Sequence, residues 1–444
     1  MEFSQKKIIL IACVAGGLIL TAGISLFSHQ HDIVWLKACE EGLKEREHCN
    51  FVLAEKKLLD ASEAAKHFAE NDERRYSSDV ALAELYIATG NFSKATEFIE
   101  RARISADKQN SVQNKLTVLG LRADALSREA KFDEARKVYT EMAESAKNAQ
   151  QASFQYDALL GLTKLDILFL KREEAEEVIE QIDVLSSKLS EKTEYGIVLS
   201  IYTALLAELK GRYKTAFMLY EDANHIVQNI EKPSSALKLL LANNSATYYL
   251  QARNTVRAKN LAMRALDNCD KDFDSYFSGH ALQALRNLSA VFLEENELRR
   301  ARQFVDREID EVGKRLSHEH PYYGLALEHR AVLESREGKV EDSDKDFKSA
   351  QDIFEKSFGP KNRFTADTLA DIAKLEFEKN NIESAATSCK QAIAIYKEIL
   401  PYDHPSSLKA MMLLSLIYKR QGRHEMAHAL EVEASRGLGA SEGK

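Results

Sequence analysis

The chain has 444 residues, of which 45% are hydrophobic and 29% are charged, with 61 lysines and arginines against 69 aspartates and glutamates. This composition excludes disordered, collagen-like and disulfide-scaffold chains, and an acidic balance without basic clusters argues against a nucleic-acid partner. Glycine and proline number only 18 and 5, about 5% of the chain against about 12% in average proteins, which predicts helices almost throughout.

The first predicted element is a membrane helix. Ile8 to Phe27 is a run of twenty residues without a charge, which at 1.5 Å per residue matches the roughly 30 Å hydrocarbon core of a bilayer. Lys6 and Lys7 precede the run, so the positive-inside rule places the N-terminus in the cytoplasm. We therefore expect residues 1–33 to form a cytoplasmic stub and a single-pass anchor, in a bacterial inner membrane with the remaining chain facing the periplasm. A cleaved signal peptide and the reverse orientation stay open.

Beyond the predicted anchor, small residues recur in paired helical segments. One small residue in the second helix of each pair serves as a reference, and successive references lie 40 to 43 residues apart. The references are Ala95, Ala135, Ala175, Ala216, Ala258, Ala301, Ser343, Ala385 and Ala427. We expect nine units over residues 71–435, a degenerate capping unit over 34–70, and a disordered, glycine-rich tail over 436–444.

The residue twelve positions before each reference is also small. Two antiparallel helices approach to about 8 Å only where the side chains between them are small, so this pairing predicts an all-α fold of stacked helix pairs. These positions hold Ala83, Ala123, Thr163, Ala204, Ala246, Ser289, Ala331, Ala373 and Ser415. Gly90, Gly211, Gly338 and Gly422 stand five residues before the reference, where a left-handed residue would turn the chain. Unit three, with Leu170 there, fits the pattern least well.

These features resemble the tetratricopeptide repeat, as in the segment from Val80 through Gly90 and Phe92 to Ala102, although the period exceeds the usual 34 residues. In the C-terminal half, the paired asparagines at 243–244 and the His-Pro pairs at 320–321 and 404–405 resemble the kinesin-light-chain type of this repeat. The chain is not a kinesin light chain itself, because an apolar span replaces that family's heptad-rich segment. The resemblance implies a right-handed superhelical solenoid whose first helices line a concave groove for peptides or partner helices.

The groove candidates stand fourteen residues before the reference, off the small-residue stripe, together with Asn243, which directly precedes one of them. A polar run at this position is confined to units five to eight. An asparagine amide offers both a donor and an acceptor, and in the resembled family asparagines at these places hold the ligand backbone. The candidates are Tyr202, Asn243, Asn244, Asn287, His329 and Asp371. The alternative is that the asparagines are solvated or cap local helices, and that Tyr202 belongs to the core or the groove wall.

Together these observations predict a membrane-anchored, non-enzymatic scaffold or assembly factor that binds a peptide or helix of a partner protein. We find no P-loop, nucleophile elbow, dinucleotide loop or metal motif, and therefore expect no catalytic, cofactor-binding or metal-binding residues. The alternative is a self-associating structural component of a membrane complex, which leaves a homo-oligomer open.

The five cysteines are widely spaced and include no C-x-x-C pair, so neither a zinc ribbon nor a redox motif is predicted. Cys39 and Cys49 would be able to pair in an oxidising compartment. Buried or free thiols are the simpler expectation.

Overall fold

The computed structural model describes residues 26–47, 51–186, 189, 192–231, 233–270, 279–401 and 403–442. Within these ranges the chain forms twenty α-helices in ten antiparallel pairs. A capping pair comes first and nine repeat units follow. The pairs are α1 (Leu26–Glu47) and α2 (Phe51–Ala65); α3 (Glu73–Ala88) and α4 (Phe92–Gln109); α5 (Val112–Arg128) and α6 (Phe132–Asn148); α7 (Ala152–Leu168) and α8 (Arg172–Ser186); α9 (Lys192–Leu209) and α10 (Tyr213–Gln228); α11 (Ser235–Gln251) and α12 (Thr255–Asp270); α13 (Gly279–Glu294) and α14 (Leu298–Arg315); α15 (Pro321–Arg336) and α16 (Val340–Phe358); α17 (Arg363–Glu378) and α18 (Ile382–Ile399); α19 (Pro405–Arg420) and α20 (His424–Glu442).

Most of the predicted membrane span lies outside the described residues. Only Leu26 and Phe27, at its end, are described, and they begin α1. Among the helices of the described ranges, none is long and apolar enough to cross a bilayer. The membrane anchor therefore stays a prediction.

Small residues hold each helix pair together, as the sequence predicts. All nine reference residues and all nine residues twelve positions earlier are at most 1% exposed. In unit seven, the Ser343 hydroxyl donates to the Ala331 carbonyl at 2.8 Å and so links the two positions directly. The helices approach closely here because neither side chain is large enough to separate the backbones.

The turn between the two helices has the same backbone conformation in all nine units. The four predicted glycines have φ between 72° and 83°. The same position in the other five units is also left-handed, at Ala130, Leu170, Arg253, Asn296 and Asn380. Unit three thus shares the common register, and Leu170 takes up a conformation with φ 60° that costs a non-glycine residue about 1–2 kcal/mol. A turn that closes a helix pair can impose this geometry on residues that do not favour it.

The C-terminal segment differs from the expected disordered tail. α20 continues from His424 to Glu442 and includes most of residues 436–444. Glycine costs a helix only about 1 kcal/mol relative to alanine, and a helix that already packs against α19 can continue through such positions.

The stacked pairs form a superhelix with an inner and an outer face. First helices of neighbouring units pack along one another, whereas second helices spread apart on the outside. The superhelix also closes on itself, because one hydrophobic cluster joins units two to four with units eight and nine. We refer to this contact between successive turns as the seam. It is formed by Arg128, Phe132, Phe169, Arg172, Gly211 and Tyr213 on one side and by His320, Phe358, Ile399 and His404 on the other.

Candidate binding groove

The groove candidates lie on α9, α11, α13, α15 and α17, the first helices of units four to eight. Asn243 is fully buried, and its amide nitrogen donates to the His280 carbonyl at the start of α13 at 2.8 Å. Its Oδ1 atom is buried without a hydrogen-bond partner among the described residues. The side chain therefore joins units five and six instead of reaching into the groove.

Asn287 continues this junction and is 5% exposed. Its amide nitrogen donates to the Asn243 carbonyl at 3.2 Å, and its Oδ1 accepts from the Thr247 hydroxyl at 3.1 Å. Both ends of the amide are thus satisfied by α11. Contact between Asn287 and a ligand stays a prediction, and it would require this junction to rearrange.

Asn244 is 9% exposed, and its amide nitrogen donates to the Leu240 carbonyl one turn earlier at 2.8 Å. Gln283 of the next unit approaches its Oδ1 at 3.5 Å. Because this bond is long, the Asn244 oxygen is more available than either group of Asn287.

His329 stands beside a buried ion pair. Its Nδ1 lies 3.3 Å from the Ser289 hydroxyl and 3.6 Å from a Glu308 carboxylate oxygen. Glu308 is fully buried and also pairs with Arg286 at 3.1 Å. Burial alone would raise the pKa of Glu308, but Arg286 and His329 outweigh burial and hold its pKa below the usual value. Arg286 and Glu308 thus keep a charge pair next to the inner face of units six and seven.

Asp371 has an exposed side chain and makes no hydrogen bond or ion pair with other described residues. Desolvation by the neighbouring helices, followed by repulsion from the Asp367 carboxylate, raises the pKa of Asp371 to about 6, although the charges of Lys374 and His329 lower it. The carboxylate is therefore accessible to solvent and lies among other charged side chains. Lys374, one turn later, approaches Glu294 of unit six at 3.9 Å, with both side chains near half exposure.

Tyr202 is 7% exposed and is therefore largely buried. The Lys164 ammonium lies 5.7 Å from the centre of its ring. This distance fits a weak cation–π contact between units three and four.

Sequence reasoning missed a buried acid beneath the groove. Glu328, adjacent to His329, is 7% exposed, and its Oε1 lies 2.5 Å from the Thr368 hydroxyl of unit eight. Burial, and then repulsion by Asp371, raise the pKa of Glu328 well above its usual value. The signal available in the sequence was its position, fifteen residues before Ser343. At the same position, Asn243 donates to His280 of the next unit, and the Arg286 guanidinium lies 5.7 Å from the centre of the Tyr322 ring of the next unit.

Comparisons with known proteins agree with this architecture. A family model described as tetratricopeptide repeat matches residues 322–398, which span α15 to α18. A crystal structure of a Rap protein complexed with competence and sporulation factor superposes with a TM-score of 0.55 at 13% identity, covering 82% of this chain and 98% of that chain. Residues 322–398 are thus tetratricopeptide repeats, and the other described units share their fold. Among curated proteins, none matches the sequence significantly.

Two further solved structures of tetratricopeptide repeat proteins are similar at lower superposition. NprR in complex with its cognate peptide NprX gives a TM-score of 0.47 at 16% identity, covering 71% of this chain and 87% of that chain. Nearly identical repeats of a kinesin light chain from P. anserina give 0.36 at 17% identity, covering 48% of this chain and all of that chain. Superposition this low leaves the kinesin-light-chain type of the C-terminal units a prediction.

Proposed function

We propose that this tetratricopeptide repeat protein is a non-enzymatic scaffold that binds an extended peptide or a helix of a partner protein along the inner face of units five to eight. The observation that carries the proposal is the exposed Asp371 carboxylate, which makes no hydrogen bond or ion pair with other described residues. A charged group that packing leaves unused on a concave face is available to a ligand. A lysine, an arginine or an amino terminus of the ligand would complement it.

Neighbouring side chains would complete such a site. Gln283, Glu294 and Lys374 lie on the same face, and the Glu294–Lys374 pair is long and exposed, so a ligand could displace it at little cost. The alternation of carboxylate, ammonium and amide groups suits a peptide with mixed polar side chains. The Rap protein that shares the fold was crystallised with competence and sporulation factor, which is consistent with a ligand-binding role for this architecture.

A displayed library of random peptides, selected on the purified full chain, tests this proposal. Peptides that bind the groove should lose at least about tenfold in affinity on Asp371→Asn, because each charge-assisted hydrogen bond contributes about 1.5–3 kcal/mol. The matched control is Asp344→Asn on α16, an exposed aspartate of a second helix. If selection enriches no sequence, or if both variants bind the enriched peptides like the parent chain, the groove assignment fails.

We also propose that residues 8–27 anchor the chain, with the N-terminus cytoplasmic and the repeats on the other side of the membrane. The uncharged run and the preceding lysines support this arrangement. The full chain should remain in the membrane fraction after an alkaline carbonate wash, and the pair Gly17→Arg with Leu18→Arg should release it. A parent chain that washes off the membrane would refute the anchor.

Self-association likewise stays a prediction, and the oligomeric state of the full chain in detergent would test it.

A further inference from the structure

The two His-Pro pairs perform the same two tasks at the seam. His320 caps α15, where its Nδ1 accepts from the Tyr322 backbone amide at 3.1 Å. Its Nε2 lies 2.9 Å from the carbonyl oxygen of Arg128, the last residue of α5, almost two hundred residues earlier. The imidazole is 8% exposed. One ring thus caps its own helix and contacts the previous turn of the superhelix.

His404 repeats this arrangement at the start of α19. Its Nδ1 accepts from the Ser406 backbone amide at 3.2 Å, and its backbone lies against Gly211, in the turn that follows α9. The residue is 1% exposed, and the Tyr213 ring lies at 6.4 Å on the α9–α10 side of the contact. Both histidines therefore contact the C-terminal end of a first helix in the earlier turn.

These hydrogen bonds fix the protonation state of both rings. A nitrogen that accepts from a backbone amide carries no proton, so the neutral ring must carry its proton on Nε2. In His320 this Nε2 proton is donated to the Arg128 carbonyl across the seam. A protonated ring would direct an Nδ1 proton at the amide proton of the cap. Only the neutral imidazole can hold the cap and the seam together.

Most of the remaining seam contacts do not titrate. Phe132 of unit two and Phe169 of unit three pack on Phe358 of unit seven, with ring centres 5.4 to 5.8 Å apart. Arg172 donates to the Ile399 carbonyl at 3.2 Å. Glu208, in the last turn of α9, does titrate, because burial raises its pKa to about 7. Its raised pKa means that acid favours the buried, closed arrangement of Glu208, which leaves the two histidines as the contacts that acid breaks.

We propose that His320 and His404 are latches that hold successive superhelical turns together, and that acid releases them and opens the seam beside the inner face. The latches act independently of what the groove binds. Besides capping their own helices, the two histidines control whether successive turns of the superhelix stay in contact.

The charged groups around the two latches differ in their effect on protonation. Arg363 from α17, Arg172 from α8 and Lys409 from α19 face His404, and together with burial, the largest effect, they lower its pKa to about 3. Burial also lowers the pKa of His320, while the Arg128 carbonyl and the Glu129 carboxylate favour its protonated form. His320 is therefore the latch that protonates at the higher pH.

The sign of the acid effect follows from linkage. A histidine in the open seam would titrate near its ordinary pKa of 6.5, whereas the latched His404 stays neutral to about pH 3. Acid therefore favours the open state as the pH falls below 6.5. At pH 5 the shift for His404 alone would be about thirtyfold. Above pH 7 both states are neutral and the latches hold fully.

Hydrogen exchange measured by mass spectrometry on the purified full chain tests the latches. His320→Asn and His404→Asn keep a side chain that caps a helix but is too short to cross the seam. At pH 7.5 each should raise exchange about two- to tenfold, the factor expected for one lost hydrogen bond, in segments 126–132 and 206–213 respectively. Unit one should not change. Arg172→Ala, which alters no helix cap, should raise exchange in segment 168–173.

Comparison of pH 5 with pH 7.5, corrected for intrinsic exchange rates, separates a latch from a merely structural histidine. The parent chain should expose both seam segments more at pH 5, and the double asparagine variant should lose this pH dependence. His428→Asn, an exposed histidine on α20, is the matched control and should behave like the parent. Unchanged exchange at 126–132 and 206–213 in the variants, or equal pH dependence in the double variant, would overturn the proposal.

Discussion

Asn287 shows how a residue type that suggests binding can instead serve packing. From the sequence alone, the Asn287 amide is expected to face the groove. On that basis, replacing Asn244 and Asn287 with alanine would weaken partner capture without loss of stability. In the structure, the Asn287 amide bridges the Asn243 carbonyl and the Thr247 hydroxyl across the junction of units five and six. A sequence pattern cannot distinguish the two roles, because the groove position and the junction are adjacent on the same helix.

We therefore expect Asn287→Ala to destabilise the fold. The change leaves a buried carbonyl and a buried hydroxyl with fewer partners, which costs about 1–3 kcal/mol. Urea unfolding monitored by circular dichroism measures the loss. Asn148→Ala, at an exposed helix end, serves as the control and should stay within about 0.5 kcal/mol of the parent chain. If the two variants are equally stable, packing does not need the Asn287 amide, which would then be available to a ligand.

Glu328 gives the molecule a second pH dependence of opposite sign. Burial holds its folded pKa above the unfolded value of 4.5, so the folded state keeps a proton that the unfolded state releases. Stability is therefore full below pH 4.5 and declines as the pH rises toward the folded pKa, by up to about 1.4 kcal/mol per pH unit.

Glu328→Gln should remove this decline, because glutamine cannot ionise and its amide oxygen can still accept from the Thr368 hydroxyl. The variant should be more stable than the parent at pH 7 and lose this advantage near pH 4.5, as measured by urea unfolding at both values. Glu341→Gln, at an exposed position on α16, should not change the difference between the two pH values. A variant that is less stable than the parent at pH 7 would show that Glu328 is needed in its ionised form.

At the scale of single helices, two glycines in first helices have different surroundings. Gly161 in α7 lies against the Tyr139 ring of the previous unit, where an added Cβ would overlap the ring. Gly196 in α9 has no neighbouring atom within 4 Å of an added Cβ. Helix propensity alone would favour alanine at both positions.

Gly161→Ala should destabilise the chain by about 1–3 kcal/mol through overpacking, whereas Gly196→Ala should stabilise it by about 0.5–1 kcal/mol. Thermal or urea unfolding of the pair under the same conditions checks both signs. If Gly161→Ala is as stable as Gly196→Ala, units two and three are more loosely packed than the structure shows.

The turns between paired helices show how far the repeat pattern reaches. Four glycines reveal a left-handed residue, but Ala130 and Leu170 adopt the same conformation without any local preference for it. The sequence left the register of unit three in doubt because of its turn residue, but the reference Ala175 is fully buried and Leu170 takes the common turn conformation. Small-residue spacing was the stronger signal because it reflects helix contact, while the turn conformation follows from that contact.

At the scale of the whole molecule, the seam distinguishes this chain from an open solenoid, in which each repeat touches only its neighbours. Hydrophobic residues of units two to four share one cluster with units eight and nine. Unfolding of the early and late units should therefore be coupled.

A double-mutant cycle of Phe132→Ala and Phe358→Ala measures this coupling. Because the two rings stack at 5.6 Å, we expect a coupling energy of about 0.5–1.5 kcal/mol across more than two hundred residues of sequence. The control cycle combines Phe132→Ala with Phe217→Ala, which removes an exposed ring on α10. The changes in unfolding free energy should be additive in this cycle. Additivity in both cycles would mean that the turns are not in contact in solution.

The sequence by itself determined the helix pairs, their register and their number, because side-chain size at a fixed spacing decides which helices can approach. It also identified an apolar run of membrane-spanning length. Only the tertiary structure decided that the asparagines join helices, that Asp371 stays unpaired, and that the His-Pro pairs reach a previous turn. These contacts depend on how much each unit rotates relative to the next, and that rotation accumulates over about five units before distant residues meet.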